Sequence, residues 1–161
     1  MNTHEHIKKI YQHLEDEIRQ VEILKNALDQ EKDILNQGNA KEIEQSSANK
    51  IQVLKIIEAS EQQRIQILSA LNLNPIDSAM DQYIKAFDSQ GNIQKKWHTL
   101  LEIMEQCRIS NEANHMIIEI NQQRTQRTLN ILQGNNNNQQ NTYESSGKKS
   151  NYTTRQTIAT A

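Results

Sequence analysis

The sequence predicts an all-α protein: an elongated antiparallel bundle of three long helices and one short helix, with a left-handed twist and a disordered C-terminal tail. Composition is the first indication, because hydrophobic residues make up 35% and aromatic residues 4% of 161 residues, with four glycines and one proline. Long, solvent-washed helices have this composition, whereas a sheet domain needs more turn residues and a wider apolar face. The second indication is that apolar residues recur seven apart over long stretches, which a few glycine and proline signals separate.

The first predicted helix spans residues 3–37 and carries one apolar stripe. Asn2 and Glu5 can form a capping box at its start. The side chains of the stripe, together with those that widen it, are Ile7, Ile10, Tyr11, Leu14, Ile18, Val21, Leu24, Leu28 and Leu35. Such a face predicts a neighbouring helix, since it would otherwise lie in water.

The second predicted helix spans residues 40–72 and turns back on the first. Gly38 supplies a left-handed C-cap, and Asn39 with Glu42 forms a second capping box. The side chains predicted to face the first helix are Ile43, Ile51, Leu54, Ile57, Ile65, Leu68 and Leu71. Glu61 and Arg64 lie three residues apart, so they are expected to pair on the solvated face.

A short third helix over residues 75–89 and a fourth over residues 93–133 complete the predicted bundle. Pro75 fits the first helical position after Asn74. The glycine signal at Gly91 is weak enough that the third and fourth helices could be continuous. Residues 1–133 are predicted to form one domain, and residues 134–161 a flexible low-complexity spacer and tail that cannot bury enough apolar area to order alone.

The fourth helix carries a heptad stripe that we call the seam. Its members are Trp97, Leu100, Met104, Cys107, Asn111, Asn114, Ile118, Asn121, Thr125, Thr128 and Leu132. The first half of the seam is apolar and the second half is polar, which favours a helix that packs on its own bundle first and on a temporary partner later. Buried asparagines can alternatively fix the register of a bundle. A neighbouring apolar face is suited to accepting a partner helix, and it is formed by Ile117, Ile118, Ile120, Leu129, Ile131 and Leu132.

The residues predict no enzyme, no cofactor and no metal site. Glu112-x-x-His115 occurs once, whereas a di-iron bundle needs two copies and two further glutamates. His4 and His6 are expected to be an exposed pair that holds metal at most weakly. Cys107 falls on the apolar seam and is predicted to be a small buried hydrophobe rather than a reactive thiol.

Charge and hydropathy limit the classes of partner. A formal net charge of -2 provides no basic field for a phosphate backbone, so no nucleic acid is expected. The chain has neither an apolar stretch near the roughly 20 residues that span a bilayer nor the pattern of a secretory signal, so no membrane insertion is expected. A single cysteine fits a cytoplasmic protein.

The chain resembles the FlgN-type flagellar export chaperones. The resemblance spans nearly the whole chain in helix lengths, and it is most specific in the fourth helix and the tail. The residues that carry it are Cys107-Arg108-x-x-Asn111-x-x-Asn114, Leu129-x-x-Leu132, Gly134, Thr142-Tyr143-x-x-x-Gly147 and Glu61-x-x-Arg64.

This resemblance implies a cytoplasmic, non-enzymatic chaperone of flagellar type III secretion. Its expected partners are hook-filament junction (hook-associated) proteins, whose terminal helical segments it would keep from premature association, and the cytoplasmic domain of the export gate. The expected client-binding residues are Asn111, Asn114, Ile117, Ile118, Asn121, Leu129 and Leu132. Tyr143 and Gly147 are expected to dock at the gate. The alternative is a coiled-coil structural or adaptor protein that self-assembles or sequesters a helical partner, whereas a chaperone is expected to be a monomer or weak homodimer.

Overall fold

The computed structural model describes residues 3–71, 73 and 79–133, and it is helical throughout this part of the chain. The helices are α1 (Thr3–Gln37), α2 (Ala40–Ser69), α3 (Ala79–Phe87) and α4 (Asn92–Leu132). The predicted all-α class is confirmed, with four helices and no strand among these residues. None of the four helices has the length and apolar character needed to cross a membrane. The predicted spacer and tail lie outside the described residues.

The chain divides into two units, residues 1–123 and residues 124–161. The first unit contains α1, α2, α3 and most of α4. The described part of the second unit, residues 124–133, is the end of α4 and the residue after it.

The turn between α1 and α2 follows the predicted capping chemistry. Gly38 has φ of +75°, a left-handed conformation that favours glycine, and its amide donates to Ile34 O at 3.1 Å. Asn39 is the N-cap of α2, and its side chain accepts from the amides of Lys41 and Glu42. The Glu42 carboxylate accepts from the side-chain amide of Asn39 at 2.8 Å, instead of from its backbone as in a standard capping box. The predicted reversal at Gly38 is therefore confirmed.

The third and fourth helices are separate. Gly91 has φ of +70° between them. The Asp88 carboxylate accepts from Asn92 N at 3.0 Å and from Gln94 N at 2.8 Å, so it satisfies two amides that the first turn of α4 would leave unpaired.

Helix α1 lies at the centre of the first unit, with α2 antiparallel and α4 parallel to it. Going up α1 from Glu17 to Glu31, the partner on α2 descends from Arg64 to Lys50. The three bonds from α4 side chains to backbone carbonyls of α1 instead join residues at a constant separation of 86 in sequence. The description as an antiparallel bundle therefore holds for α1 and α2 but not for α1 and α4, because the first and third rods of an up-down-up arrangement point the same way.

The core of the first unit is built around α1, whose buried apolar side chains follow the predicted heptad. They are Ile10, Leu14, Ile18, Val21, Leu24, Leu28 and Leu35. Packed against most of this set are Leu68, Ala79, Met80, Tyr83, Ile93, Leu100 and Cys107 from the other three helices. Most of the free energy that holds these helices together comes from burial of this stripe rather than from helix propensity.

One polar pair is buried at the end of this core near the start of α1. His6 Nδ1 and the Tyr83 hydroxyl are hydrogen bonded at 3.0 Å, and the His6 ring meets Phe87 edge-on at 4.8 Å between ring centres. Burial, with a smaller effect of Asp88, raises the pKa of Tyr83 to about 12. The expectation that His6 belongs to an exposed metal-holding pair is wrong, because its side chain is buried and already bonded.

The apolar stripe of α2 differs from the prediction at two positions. Ile51 and Leu54 are nearly half exposed, while Val53 and Ile57 pack against the core. The difference arises because α2 turns a narrow face to α1, and that face includes the polar residues Ser60 and Arg64. Leu54 is thereby left at the edge of this face, partly open to solvent.

Candidate partner-binding surfaces

One of the two heptad positions on α4 is buried in the first unit. Ile93, Leu100, Cys107 and Asn114 are buried and lie seven residues apart. The alternating seam positions are less covered: Trp97 is half-buried against the core, and Met104 and Asn111 are exposed. The second position therefore leaves apolar and polar side chains partly open to solvent.

The buried half of the seam forms a ladder of bonds to backbone carbonyls of α1. Cys107 Sγ lies 3.7 Å from Val21 O. Asn114 Nδ2 donates to Leu28 O at 2.8 Å, and Asn121 Nδ2 donates to Leu35 O at 3.2 Å. Two asparagines in the polar half of the seam, Asn114 and Asn121, are therefore bonded to α1.

Asn114 is the most constrained of the expected client-binding residues. It is 1% exposed and also donates to Glu31 Oε2 at 2.9 Å. Its Oδ1 atom is buried and has no hydrogen-bond partner among the described residues. This position matches the register-fixing alternative for a buried asparagine.

Two largely buried ion pairs join α1 to α2, four helical turns apart. In the first, Lys50 Nζ lies 2.7 Å from Glu31 Oε1 and donates to Asn111 Oδ1 at 3.3 Å. Because Asn114 also bonds to Glu31, this cluster ties α1, α2 and α4 together.

In the second pair, Arg64 Nε lies 3.1 Å from Glu17 Oε2. The Arg64 guanidinium also stacks over the Trp97 ring, 4.8 Å from its centre. Burial raises the pKa of the Glu17 carboxyl, against the opposing effect of Arg64. The predicted pairing of Arg64 with Glu61 exists at 3.8 Å, but the placement of Arg64 on the solvated face is wrong, since its side chain is only 12% exposed.

Burial of Glu17 and Glu31 was not predicted, although their heptad positions indicated it. Glu17 and Glu31 continue the heptad position of Ile10 and Leu24. A charged residue in a buried heptad position predicts a cation on the facing helix, because an unpaired charge is too costly to bury.

Between the two ion pairs, α2 and α4 stand apart and leave an apolar cavity of about 250 Å³. We call it the α2–α4 groove. Its floor is Val21, Leu24 and Leu28 of α1, and its walls are Leu54 and Ile57 of α2 and Met104 of α4. Leu54 and Met104 are 45% and 44% exposed, so this apolar surface is open to solvent.

The other expected client-binding residues are distributed over both units. In the first unit, Ile117 and Ile118 are half-buried. In the second unit, Leu129, Ile131 and Leu132 are exposed by 43%, 65% and 77%. The structure thus brings Asn111 and Asn114 together around Lys50 and Glu31, whereas Leu129 and Leu132 present apolar side chains to solvent. Tyr143 and Gly147 lie outside the described residues.

No group of side chains in the described part of the chain is arranged to hold a metal ion. No cluster of three or more histidine, cysteine or acidic residues is present in residues 3–71, 73 and 79–133. Glu112 pairs with Arg108 instead of with His115, which lies 3.4 Å from Glu119. Cys107 is buried, as predicted, and burial raises its pKa.

A bundle that exposes apolar side chains at a helix end and in a groove belongs to the class of helical binding modules. The family model described as FlgN protein matches residues 1–151, so the chain belongs to the FlgN family of flagellar export chaperones. Chaperones of this family bind flagellar hook-associated proteins. No curated protein and no solved structure matches the chain. The resemblance inferred from the fourth helix and the tail is confirmed.

Proposed function

We propose that this protein binds the terminal helical segments of hook-filament junction proteins in the cytoplasm, prevents their premature association and delivers them to the flagellar export gate. The observation that carries the proposal is the end of α4, where Leu129, Ile131 and Leu132 expose large apolar side chains within four residues. Isolated exposed leucines are ordinary, but three such side chains at one helix end suit a protein that covers apolar surface on another chain.

In this proposal, the anchors for the client are Leu129 and Leu132 in the second unit and Ile117 and Ile118 in the first. Asn111, Asn114 and Asn121 have a supporting role in the first unit. Asn114 and Asn121 bond to α1, so they hold α4 in a fixed register, while the exposed Asn111 can exchange its contact with Lys50 for one with the client.

A chaperone of this kind has to bind moderately. The client must stay covered until it reaches the gate, and the gate must then remove it. Exposed apolar anchors without a deep pocket suit such binding, because affinity depends on the quality of a few buried contacts rather than on total area.

The test is fluorescence anisotropy of a labelled C-terminal segment from each hook-filament junction protein of the organism, titrated with the full chain. We expect micromolar or tighter binding, about -8 kcal/mol or better. A chain ending at Gln133 should bind the client equally well, because all proposed anchors precede that residue. Absence of binding by the full chain to every segment would contradict the proposal, and light scattering would then test the alternative of self-assembly.

The tail is proposed to dock at the export gate through Tyr143 and Gly147. Tyr143→Ala should leave the affinity for the client segment unchanged and weaken binding to the cytoplasmic domain of the gate by about tenfold or more, as expected for loss of an aromatic anchor. Tyr152→Ala, in the same tail, is the matched control and should have little effect. Equal loss of both interactions in Tyr143→Ala would contradict this division of labour.

A further inference from the structure

The α2–α4 groove shares only Asn111 with the site proposed above. We propose that it is a second docking site for the client, which lays about two turns of one amphipathic helix between α2 and α4. The C-terminal end of this helix lies towards Arg108. The inference rests on the proposed chaperone function and adds a second contact surface for the same partner.

The groove is the unpartnered half of two helical stripes. The groove is lined on α4 by Met104, which alternates along the seam with the buried residues Leu100 and Cys107. On α2 it takes Leu54 and Ile57, which are one turn apart. A seam with a heptad period on both walls is matched by a third helix with apolar side chains at spacings of three and four.

The lining sets the length of the contact with the occupant. It runs from Lys50 to Ile57 on α2 and from Met104 to Asn111 on α4, which is about 10 Å along each helix at 1.5 Å per residue. About two turns of a helix fit this length.

The lining also favours a single helix over a second copy of this chain. Ten side chains line the groove, whereas a stable dimer interface usually takes about 20–30 residues from each partner. A helix laid in a groove needs only three or four apolar anchors, which this lining can cover.

Charge complementarity gives the direction of the helix. The two charged side chains that line the groove, Lys50 and Arg108, are both cationic and lie at the end that also contains Asn111. The charge of Lys50 is already paired with the buried carboxylate of Glu31, so Arg108 is the cation that a partner can meet. The ion pairs of Arg108 with Glu105 and Glu112 are exposed on the surface, so they cost little to rearrange. The negative end of a helix dipole, or an acidic residue near it, is favoured beside Arg108.

The experiment compares two groove variants with two matched controls on the same helices. Leu54→Asp and Met104→Asp place a carboxylate in the groove. Ile56→Asp and Ile109→Asp place the same group on side chains that are each 54% exposed and do not line the groove. The labelled C-terminal segments of the junction proteins are titrated with each full-length variant, and circular dichroism melts check that the variants fold.

We expect each groove variant to weaken binding by about tenfold or more and each control to change it by less than about twofold. A photo-crosslinker placed at residue 54 or 104 should capture the segment, and one placed at residue 56 or 109 should not. This second measurement decides the outcome if a groove variant fails to fold. Groove variants that bind like the controls, with no crosslink from residues 54 and 104, would overturn the inference and leave the chaperone function standing. Failure of the wild-type chain to bind any segment would overturn both.

Discussion

Replacing Arg64 with alanine should lower the free energy of unfolding by about 3–5 kcal/mol at neutral pH, which is the usual cost of breaking a buried ion pair from one side. Glu17 is 5% exposed, and in the variant its carboxylate would lose the guanidinium that lies 3.1 Å from it. Trp97 would lose the cation stacked over its ring. Urea denaturation followed by circular dichroism measures the change.

The loss in free energy of unfolding caused by Arg64→Ala should become smaller as pH falls. Burial raises the pKa of Glu17 in the folded chain above its value in the unfolded chain, and loss of Arg64 raises it further because the opposing charge has gone. A carboxyl with a raised folded pKa favours folding below its unfolded pKa, and this contribution is lost as pH rises through the folded pKa. We therefore expect Arg64→Ala to be less destabilised near pH 4.5 than near pH 7.5.

Two further variants separate the buried charge from other effects. Arg19→Ala removes an arginine from the exposed pair with Asp16, so it should change stability by less than about 1 kcal/mol. Combining Arg64→Met with Glu17→Leu removes both buried charges, and it should recover most of the stability lost in Arg64→Ala. A double variant as unstable as Arg64→Ala would contradict the explanation based on an unpaired charge.

The second large effect is expected from Leu129→Asp combined with Leu132→Asp. If these residues anchor the client, two carboxylates at the end of α4 should weaken client binding by about a hundredfold or more, equivalent to about 2.7 kcal/mol. Both side chains are exposed in the isolated chain, so the melting temperature should stay within about 2 °C of the wild-type value. Anisotropy titration and a circular dichroism melt on the same samples test the two statements together.

Met116→Asp is a matched control for this double variant. Met116 is a large apolar side chain on α4 that is 64% exposed, but it is not among the proposed anchors, so its replacement should leave client binding unchanged. A large drop in the melting temperature of the double variant would instead identify Leu129 and Leu132 as structural residues.

The heptad of α1 was predictable because its buried apolar residues occur at regular spacings. Its two buried glutamates were not recognised, because a charged residue is normally assigned to solvent unless its partner on another helix is known. Arg64 was placed on the surface for the same reason, since its local neighbour Glu61 offered a simpler pairing than Glu17, which is 47 residues away.

The positions of the polar residues along the seam were predictable, but the groups to which they bond were not. Asparagine at a heptad position can face a partner or bond to its own bundle, and the choice depends on whether a backbone carbonyl lies opposite. Leu28 O and Leu35 O are in that position, and no local spacing encodes this. The α2–α4 groove was likewise beyond sequence reasoning, because it depends on how far apart α2 and α4 stand on α1.

The constant offset between α1 and α4 makes their alignment almost repetitive. A shift of α4 by one heptad would place Cys107 beside Leu28 and Asn114 beside Leu35. Side-chain bonds to the α1 carbonyls could therefore form in the shifted frame almost as well as in the observed one. Glu31 removes this ambiguity, because only in the observed frame does Asn114 donate both to Leu28 O and to a buried carboxylate. One acidic residue on α1 therefore distinguishes the observed frame of α4, a helix of 41 residues, from a frame shifted by one heptad.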